Sequence, residues 1–342
     1  MAIKSSKNED KIERVIATGE KIEDTQNEVK LRPKLIEEYV GQEAIKSHLS
    51  IAIKSAQIRK EPLEHVLLYG PPGLGKTTLS LIIAHEMNVN LKHTSGPAIE
   101  KQADIVSILT SIQEGDILFI DEIHRLKPQI EEILYGAMED FSIDIMIGTG
   151  TGATSIKMDI PKFTLVGATT KLSMLSSPLR DRFGNIMKLD FYNDAELAII
   201  VKRSFGILNC TISNGDIYDI VAKKSRGTPR IANRFVKIVR DYVTVGSDIE
   251  SRLGIDNIFV SLGVDDRGLD ILDRKILGSL ADNFGGRPVG LNTLASMVGE
   301  EEDTIEDVIE PYLLKIGFIE RTARGRQITE AGKSHLDKSR KL

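Results

Sequence analysis

Apolar residues along this chain follow three rhythms. From Leu31 to about Asp190, short near-continuous apolar runs (Val66–Tyr69, Ile117–Ile120 and Phe163–Val166) alternate with stretches of helical spacing. Such runs predict strands buried on both faces, and hence a parallel sheet covered by helices. From Asn193 to about Gly263 no strand stands out. Apolar residues there recur as in Ile217, Ile220 and Val221, then Ile231, Phe235, Ile238 and Val239, which predicts a small helical domain. Val264–Gly268 reads as a linker. Beyond it come three helix-like segments and two short strands, Phe318–Thr322 and Gln327–Thr329, around Ala323-Arg324-Gly325. Three helices followed by a β-hairpin predict a winged helix. The expected organisation is a large α/β domain over 1–192, a helical domain over 193–263 and a winged-helix domain over 266–342, with residues 1–30 a polar leader.

Within the first domain, Phe141–Ile147 and Ser155–Ile160 both alternate polar and apolar residues around Gly148-Thr149-Gly150-Thr151-Gly152. This predicts a β-hairpin inserted at about 141–160. Its apolar side (Ile143, Ile145, Ile147) is either buried on the domain or exposed for a partner, and the pattern supports both equally.

Composition narrows the class. At 342 residues, with 41% hydrophobic and 28% charged residues, the chain is long enough for more than one core and ordinary for a water-soluble protein. No apolar run approaches the roughly 20 residues a membrane span needs, and the charged N-terminus lacks the apolar region of a signal peptide. Cys210 is the single cysteine, so a reducing compartment is expected, with the cytoplasm as the default. A net charge of −5 argues against coating nucleic acid with the whole surface. It leaves local contact open, because that depends on where basic residues cluster.

Chemistry enters at Gly70-Pro71-Pro72-Gly73-Leu74-Gly75-Lys76-Thr77, directly after the strand ending at Tyr69. The pattern is a phosphate-binding loop: glycines let backbone N–H groups curl around phosphate oxygens at a helix N-terminus whose dipole favours anions. Lys76 is expected on the β- and γ-phosphates and the Thr77 hydroxyl on Mg²⁺. The apolar strand Ile117–Ile120 then ends in Asp121-Glu122. Asp121 is placed to hold Mg²⁺ and its water shell. Glu122 is placed to polarise the attacking water, which argues for turnover rather than binding alone.

Phe163–Val166 leads into Gly167-Ala168-Thr169-Thr170. A polar residue at that strand tip can sense the γ-phosphate; Thr170 is the first choice and Thr169 the second. Leu179-Arg180-Asp181-Arg182-Phe183 offers two arginines. Arg182 is the candidate finger donated to a neighbouring subunit, whereas Arg180 can pair with Asp181; taken alone, surface ion pairing is the better explanation for both. In Gly227-Thr228-Pro229-Arg230, Thr228 can cap a helix whose first position suits Pro229, and Arg230 would point toward the phosphates.

These parts, in this order, resemble the AAA+ ATPases. Several stretches are closer still to the RuvB family: Leu31-Arg32-Pro33, Glu37–Gln42, Gly70–Thr78, Phe119–Arg125, Ala137–Phe141, Ser177–Gly184 and Arg226–Asn233. The resemblance runs from about Leu31 to Thr329. It implies an AAA+ core, a helical lid and a winged-helix head, in an ATPase driving branch migration of Holliday junctions. It implies ATP contacts by Leu31, Arg32, Gly73, Gly75, Lys76, Thr77, Thr78, Glu139, Asp140, Phe141, Arg182, Tyr192 and Arg230, with Mg²⁺ on Thr77 and Asp121. It further implies a hexameric ring on duplex DNA at four-way junctions, a RuvA-like partner on the 141–160 hairpin and a RuvC-like resolvase in the larger complex. Leu31 and Tyr192 read equally well as core packing. A clamp-loader or helicase-loader switch shares the nucleotide motifs, with less reason to carry both the inserted hairpin and a basic wing. A nucleotide-gated winged-helix regulator would read DNA bases.

The last domain is asymmetric in charge. Glu300, Glu301, Glu302, Asp303, Glu306, Asp307 and Glu310 lie in a stretch without Lys or Arg, whereas Arg321, Arg324, Arg326 and Lys333 follow. An acidic helix pushed into a groove would meet phosphates with carboxylates. The wing is therefore the expected DNA contact, through phosphates rather than bases, and the resemblance selects Arg321 and Arg326. Gly285-Gly286-Arg287-Pro288 departs from the family, which has glycine at Arg287.

Overall fold

In the computed structural model the described residues are 30–147, 154–246 and 251–340. Five strands form one parallel sheet: β1 (Val66–Tyr69), β2 (Leu91–Ser95), β3 (Ile117–Asp121), β6 (Thr164–Thr169) and β7 (Asn185–Lys188), in the order β2-β3-β6-β1-β7. β1, β3 and β6 are the apolar runs of the sequence. They take the three central places, buried on both faces, and Leu67, Leu118 and Leu165 are fully enclosed. Each such side chain contributes about 1.5–3 kcal/mol of burial. β2 and β7 are edge strands, and both mix polar with apolar residues.

Helices pack against the sheet because parallel neighbours need crossovers. α1 (Glu43–Arg59) precedes β1, and α2 (Lys76–Met87) joins β1 to β2. α3 (Gln102–Thr110) leads to β3, α4 (Pro128–Glu139) follows it, and α5 (Ser177–Asp181) follows β6. The inserted hairpin is present as β4 (Ser142–Ile147) and β5 (Thr154–Asp159), paired one to one from Ser142↔Asp159 to Ile147↔Thr154. Ile143 is buried in the core, while Ile156 is half exposed. The glycine-rich tip, 148–153, lies outside the described residues.

Of the described residues, those within 33–190 form one compact unit, and those within 30–32 and 191–340 form the other. The second unit holds a lid of four helices: α6 (Asp194–Ile207), α7 (Asp216–Lys224), α8 (Pro229–Thr244) and α9 (Arg252–Ser261). Asn193 and Glu196 form a reciprocal cap at the start of α6. The head follows with α10 (Ile271–Gly278), α11 (Leu291–Val298), a third helical run ending in α12 (Glu310–Lys315), the wing β8 (Ile319–Thr322) and β9 (Gly325–Ile328), and α13 (Glu330–Ser339). α13 was not legible in the sequence; it packs Leu336 into the head core behind the wing. Among the described residues no helix is long and apolar enough to cross a membrane.

The edge of the sheet where strands begin is tied by His65. Its Nδ1 accepts the Leu165 N–H at 2.8 Å, its Nε2 donates to the Met138 carbonyl at 3.1 Å, and its ring packs on Phe163. Burial, partly offset by the Met138 hydrogen bond, holds its pKa below the usual 6.5. The unfolded chain takes up this proton below about pH 6.5 and the native chain resists it, so stability present above that pH is lost as pH falls. The melting temperature of the wild type should therefore drop from about pH 7.5 to 5.5, at up to about 1.4 kcal/mol per pH unit for this one proton. His65→Asn should start lower and drop less steeply; an equal slope in both proteins would acquit His65.

Candidate nucleotide site and nucleic-acid interface

The phosphate loop turns directly out of β1. Gly70, Gly73 and Gly75 all have positive φ, at 143°, 79° and 103°. A Cβ on Gly70 would collide with the Leu189 carbonyl, and one on Gly75 would stand 2.6 Å from the Tyr39 hydroxyl, which itself donates to the Leu74 carbonyl at 3.2 Å. Only glycine permits this backbone path. α2 opens at Lys76 with Gly75 as its cap and no side chain capping it, so the first-turn N–H groups of Lys76, Thr77 and Thr78 face the loop as an anion cradle. The Lys76 amine reaches back over the loop, donating to the carbonyls of Gly70 at 2.7 Å and Pro71 at 2.9 Å.

The sheet order brings the remaining groups to the same edge. β6 lies between β1 and β3, with Tyr69 level with Thr169 and Ile120 level with Gly167. Asp121, Glu122, Thr169 and Thr170 therefore leave the sheet beside the loop, where parallel sheets bind ligands. Asp121 accepts the Glu122 N–H at 2.9 Å. Glu122 takes a left-handed conformation (φ 48°), and its carboxylate meets Arg125 at 3.2 Å. Both side chains of that pair are about half exposed, so solvent screening makes it weak and the carboxylate is readily released. Thr169 is buried: its hydroxyl accepts the Lys171 N–H at 3.0 Å and lies 3.0 Å from His124 Nδ1. Thr170 stands one residue past the strand and is only half buried. Of the two threonines, it is the one with a hydroxyl not bound into the turn by these bonds.

The arrangement fits a nucleotide with Mg²⁺. Among the described residues no group of three or more His, Cys, Asp or Glu could hold a metal by itself. Mg²⁺ ordinarily needs only one or two protein ligands because phosphates and waters complete its shell, and Thr77 and Asp121 supply that number.

Arg182, Glu139, Asp140 and Phe141 gather at the opposite edge. Arg182 donates to Glu139 at 3.0 Å and to the Pro178 carbonyl at 2.7 Å, and its guanidinium lies 4.5 Å over the Tyr135 ring. Phe141 packs on Phe163 and on His65, and Asn185 donates to the His65 carbonyl. These neighbours begin strands, whereas the loop ends one. The length of β1 lies between them, about 13 Å at 3.3 Å per residue. Asp140 pairs with Lys157 of the hairpin at 3.3 Å.

The other predicted ATP contacts lie in the second unit. Leu31 is buried there, its carbonyl accepting from Arg203 at 2.7 Å, and Arg32 follows it. Tyr192 is buried and donates its N–H to the Gly227 carbonyl at 2.9 Å. Arg230 is exposed in the first turn of α8. Thr228 does not cap that helix as expected: its hydroxyl donates backward to the Ser225 carbonyl at 3.3 Å, and Pro229 makes the first turn without it.

At the wing, β8 and β9 place Arg321 opposite Arg326. Sequence reasoning missed their partner. Glu310, 1% exposed, accepts from Arg321 at 2.6 Å and from Arg326 at 3.1 Å, and Glu306 meets Arg326 at 3.3 Å. The acidic stretch is therefore partly the counter-charge of the wing. Arg321 keeps 52% of its side chain exposed and Arg326 15%. Arg324 is exposed in the tip between the strands, and Arg287 is exposed with its Nε donating to the Phe284 carbonyl.

Gly75→Ala should weaken ATP binding about tenfold or more, roughly 1.4 kcal/mol, in a fluorescent-nucleotide titration, with the fold intact. Gly206→Ala, where a Cβ meets nothing within 4 Å, should leave affinity unchanged. Equal affinity in both variants would show that the loop path does not depend on glycine.

Three family models match the chain in succession. Residues 31–189 match the Holliday junction DNA helicase RuvB P-loop domain, 192–260 the RuvB AAA lid domain and 266–337 the RuvB C-terminal winged helix domain. A curated relative from Leuconostoc mesenteroides, described as the Holliday junction branch migration complex subunit RuvB, is 53% identical over 319 residues, covering 92% of this chain and 90% of its own. The solved Thermotoga maritima RuvB Holliday junction branch migration motor is 49% identical, with a TM-score of 0.83 over 90% of this chain and 98% of that one. A single-residue mutant of that protein matches with the same score at 50% identity.

Proposed function

The chain belongs to the RuvB family, and we propose that it drives branch migration of Holliday junctions by hydrolysing ATP in a ring of like subunits. The observation that carries the reading is the division of the nucleotide chemistry between two edges of one sheet. The loop, Asp121, Glu122 and Thr170 leave one edge. Arg182 and Glu139 sit at the other, a strand length away from the loop of their own chain.

A complete site then joins one edge of a subunit to the other edge of its neighbour. Gly73, Gly75, Lys76, Thr77 and Thr78 cradle the phosphates. Thr77 and Asp121 would hold Mg²⁺, which would supply charge neutralisation on the phosphates. Glu122 lets go of Arg125 and orients the attacking water, while Thr170 senses the γ-phosphate. Arg182 enters from the neighbour, with Glu139, Asp140 and Phe141 close behind it, and stabilises charge on the transferring group. Arg182 is pre-shaped for this: Tyr135 and Glu139 hold its guanidinium in one pose, so little freedom is lost when it docks. Leu31, Arg32 and Tyr192 contribute to the adenine side, and Arg230 reports nucleotide state to the lid.

The DNA contact falls to the wing. Arg321 and Arg326 face each other across the hairpin on Glu310 and bind backbone phosphates without reading bases. Of the duplex substrates this suits, a four-way junction follows from the family. The hairpin β4–β5 is the seat for a RuvA-like partner, supported by the exposed Ile156 on it. A hexamer and a RuvC-like resolvase complete the assembly.

The direct test is ATP-dependent dissociation of a synthetic four-way junction with a RuvA partner. The wild type should dissociate it, and Glu122→Gln should bind ATP yet lose at least about a hundredfold in hydrolysis and in junction movement. Absence of wild-type movement with the partner present would overturn the motor reading. The shared site is tested by mixing: Arg182→Ala and Lys76→Ala rings are each expected to be inactive, and mixed rings should recover part of the hydrolysis. No recovery would mean that Arg182 does not act in trans.

A further inference from the structure

A motor of this kind must carry a change at the phosphates to the part that holds DNA, and the lid and head of the second unit are joined by a buried polar lock. Arg226, at the C-terminal side of α7, is nearly fully buried and takes a left-handed backbone conformation (φ 54°). Residues with a Cβ adopt that conformation reluctantly, so something must hold it. Its guanidinium donates to the Asp273 carboxylate of α10 at 2.9 Å, lies 3.9 Å from Asp270, and sits 5.0 Å over the Tyr312 ring of α12. Asp273 is completely buried and closes a reciprocal cap with Asp270, each backbone N–H donating to the other's carboxylate. Burial pushes the Asp273 carboxyl up, to about 7, against the pull of Arg226.

Other contacts run parallel to it. The buried Lys224 amine donates to the Asp265 carbonyl at 3.2 Å and meets Asp266 at 3.5 Å. Gly268 (φ 75°) packs so closely on the Lys224 carbonyl that any side chain there would collide with it. Tyr312 donates its hydroxyl to the Arg267 carbonyl at 2.7 Å, and the Lys315 amine donates to the Tyr192 carbonyl at 3.1 Å while lying over the Phe191 ring. On the lid side all of this converges on residues 191–192 and 224–227. Arg230 follows Arg226 in sequence across the turn that opens α8, and Tyr192 is pinned to that turn through the Gly227 carbonyl.

We propose that Arg226 and Asp273 are positioning residues of the motor, bolting the helix that begins beside Arg230 to the winged-helix head so that lid and head turn as one body. The placement of ions, rather than apolar side chains, gives this lock its single geometry: a buried guanidinium has one partner arrangement, whereas an apolar contact can slide. Nucleotide state felt at Arg230 is then delivered to the wing without an intervening joint. The inference rests on the motor reading for its consequence, but not for the lock itself.

The experiment measures both. In a Cys210→Ser background, Leu253→Cys in the lid and Val308→Cys in the head, both exposed, carry a fluorophore pair. In rings on junction DNA the lid-to-head distance should be one narrow distribution, the same with ADP and with a non-hydrolysable ATP analogue. A wild-type distance that shifts with nucleotide would overturn the proposal, whatever any variant does. Asp273→Asn keeps the shape and removes the charge; it should broaden the distribution, leave ATP hydrolysis within about twofold and cut junctions dissociated per ATP about fivefold or more. Equal loss of hydrolysis and migration would mean a merely structural role and would also sink the idea. If the wild type moves no junction at all, the motor reading fails while the distance result still decides whether lid and head are one body.

Discussion

The constraint on which the catalytic unit depends is the length of its central strand. A four-residue β1 fixes how far the end that builds a phosphate cradle stands from the end that carries Arg182. Parallel neighbours in register then force every functional residue to one edge or the other. Residues at or beyond a strand's C-terminal end (Lys76, Asp121, Thr170) share an edge, and Arg182, just before β7, lies toward the opposite one. No side chain needs to be placed individually; the parallel order and the register do it. Were Arg182 to act on a neighbour's nucleotide, hydrolysis would depend on how neighbours are arranged.

Rigidity is built differently in the second unit. There, charges are buried where hydrophobic contact would have been the cheaper means of stabilisation. Arg226, Lys224, Asp270, Asp273 and Glu310 are all nearly inaccessible, and each is met by an opposite charge. Desolvating such groups offsets much of their Coulomb attraction, so their net contribution to stability is small. What they supply is orientation. That suits elements that must transmit a displacement, and the positive φ of Arg226 shows that backbone strain is accepted to keep it.

Legibility followed the same physics. The phosphate loop, Asp121-Glu122 and the three central strands could be read because burial on both faces demands unbroken apolar runs and phosphate binding demands glycine. β2 and β7 could not: Leu-Lys-His-Thr-Ser is mostly polar and Asn-Ile-Met-Lys half so, as edge strands can be, and neither carries a run to detect. The contact that engages Thr169, with His124, joins residues far apart in sequence and could not be read there. Thr228 had the residue type of a cap but not the bond, because the turn from Ser225 already engages its hydroxyl. α13 was missed for want of a distinctive period; only Leu336 among its larger side chains is buried.

The acidic stretch shows where summing charges along a sequence misleads. Seven carboxylates without an interleaved cation look like a solvated repulsive face. Yet Glu310 is buried and accepts from two arginines that come eleven and sixteen residues later. The stretch still argues against a recognition helix, since exposed carboxylates crowd the start of that helical run at Glu301, Glu302 and Asp303. It argues equally that the wing's charge is partly neutralised before any phosphate arrives. Counterion release scales with the charge actually delivered to the backbone. A wing whose arginines remain shared with Glu306 and Glu310 would therefore grip a phosphate weakly but in a fixed pose. For a branch migration motor that moves along DNA, weak and well-aimed contacts would serve better than strong ones.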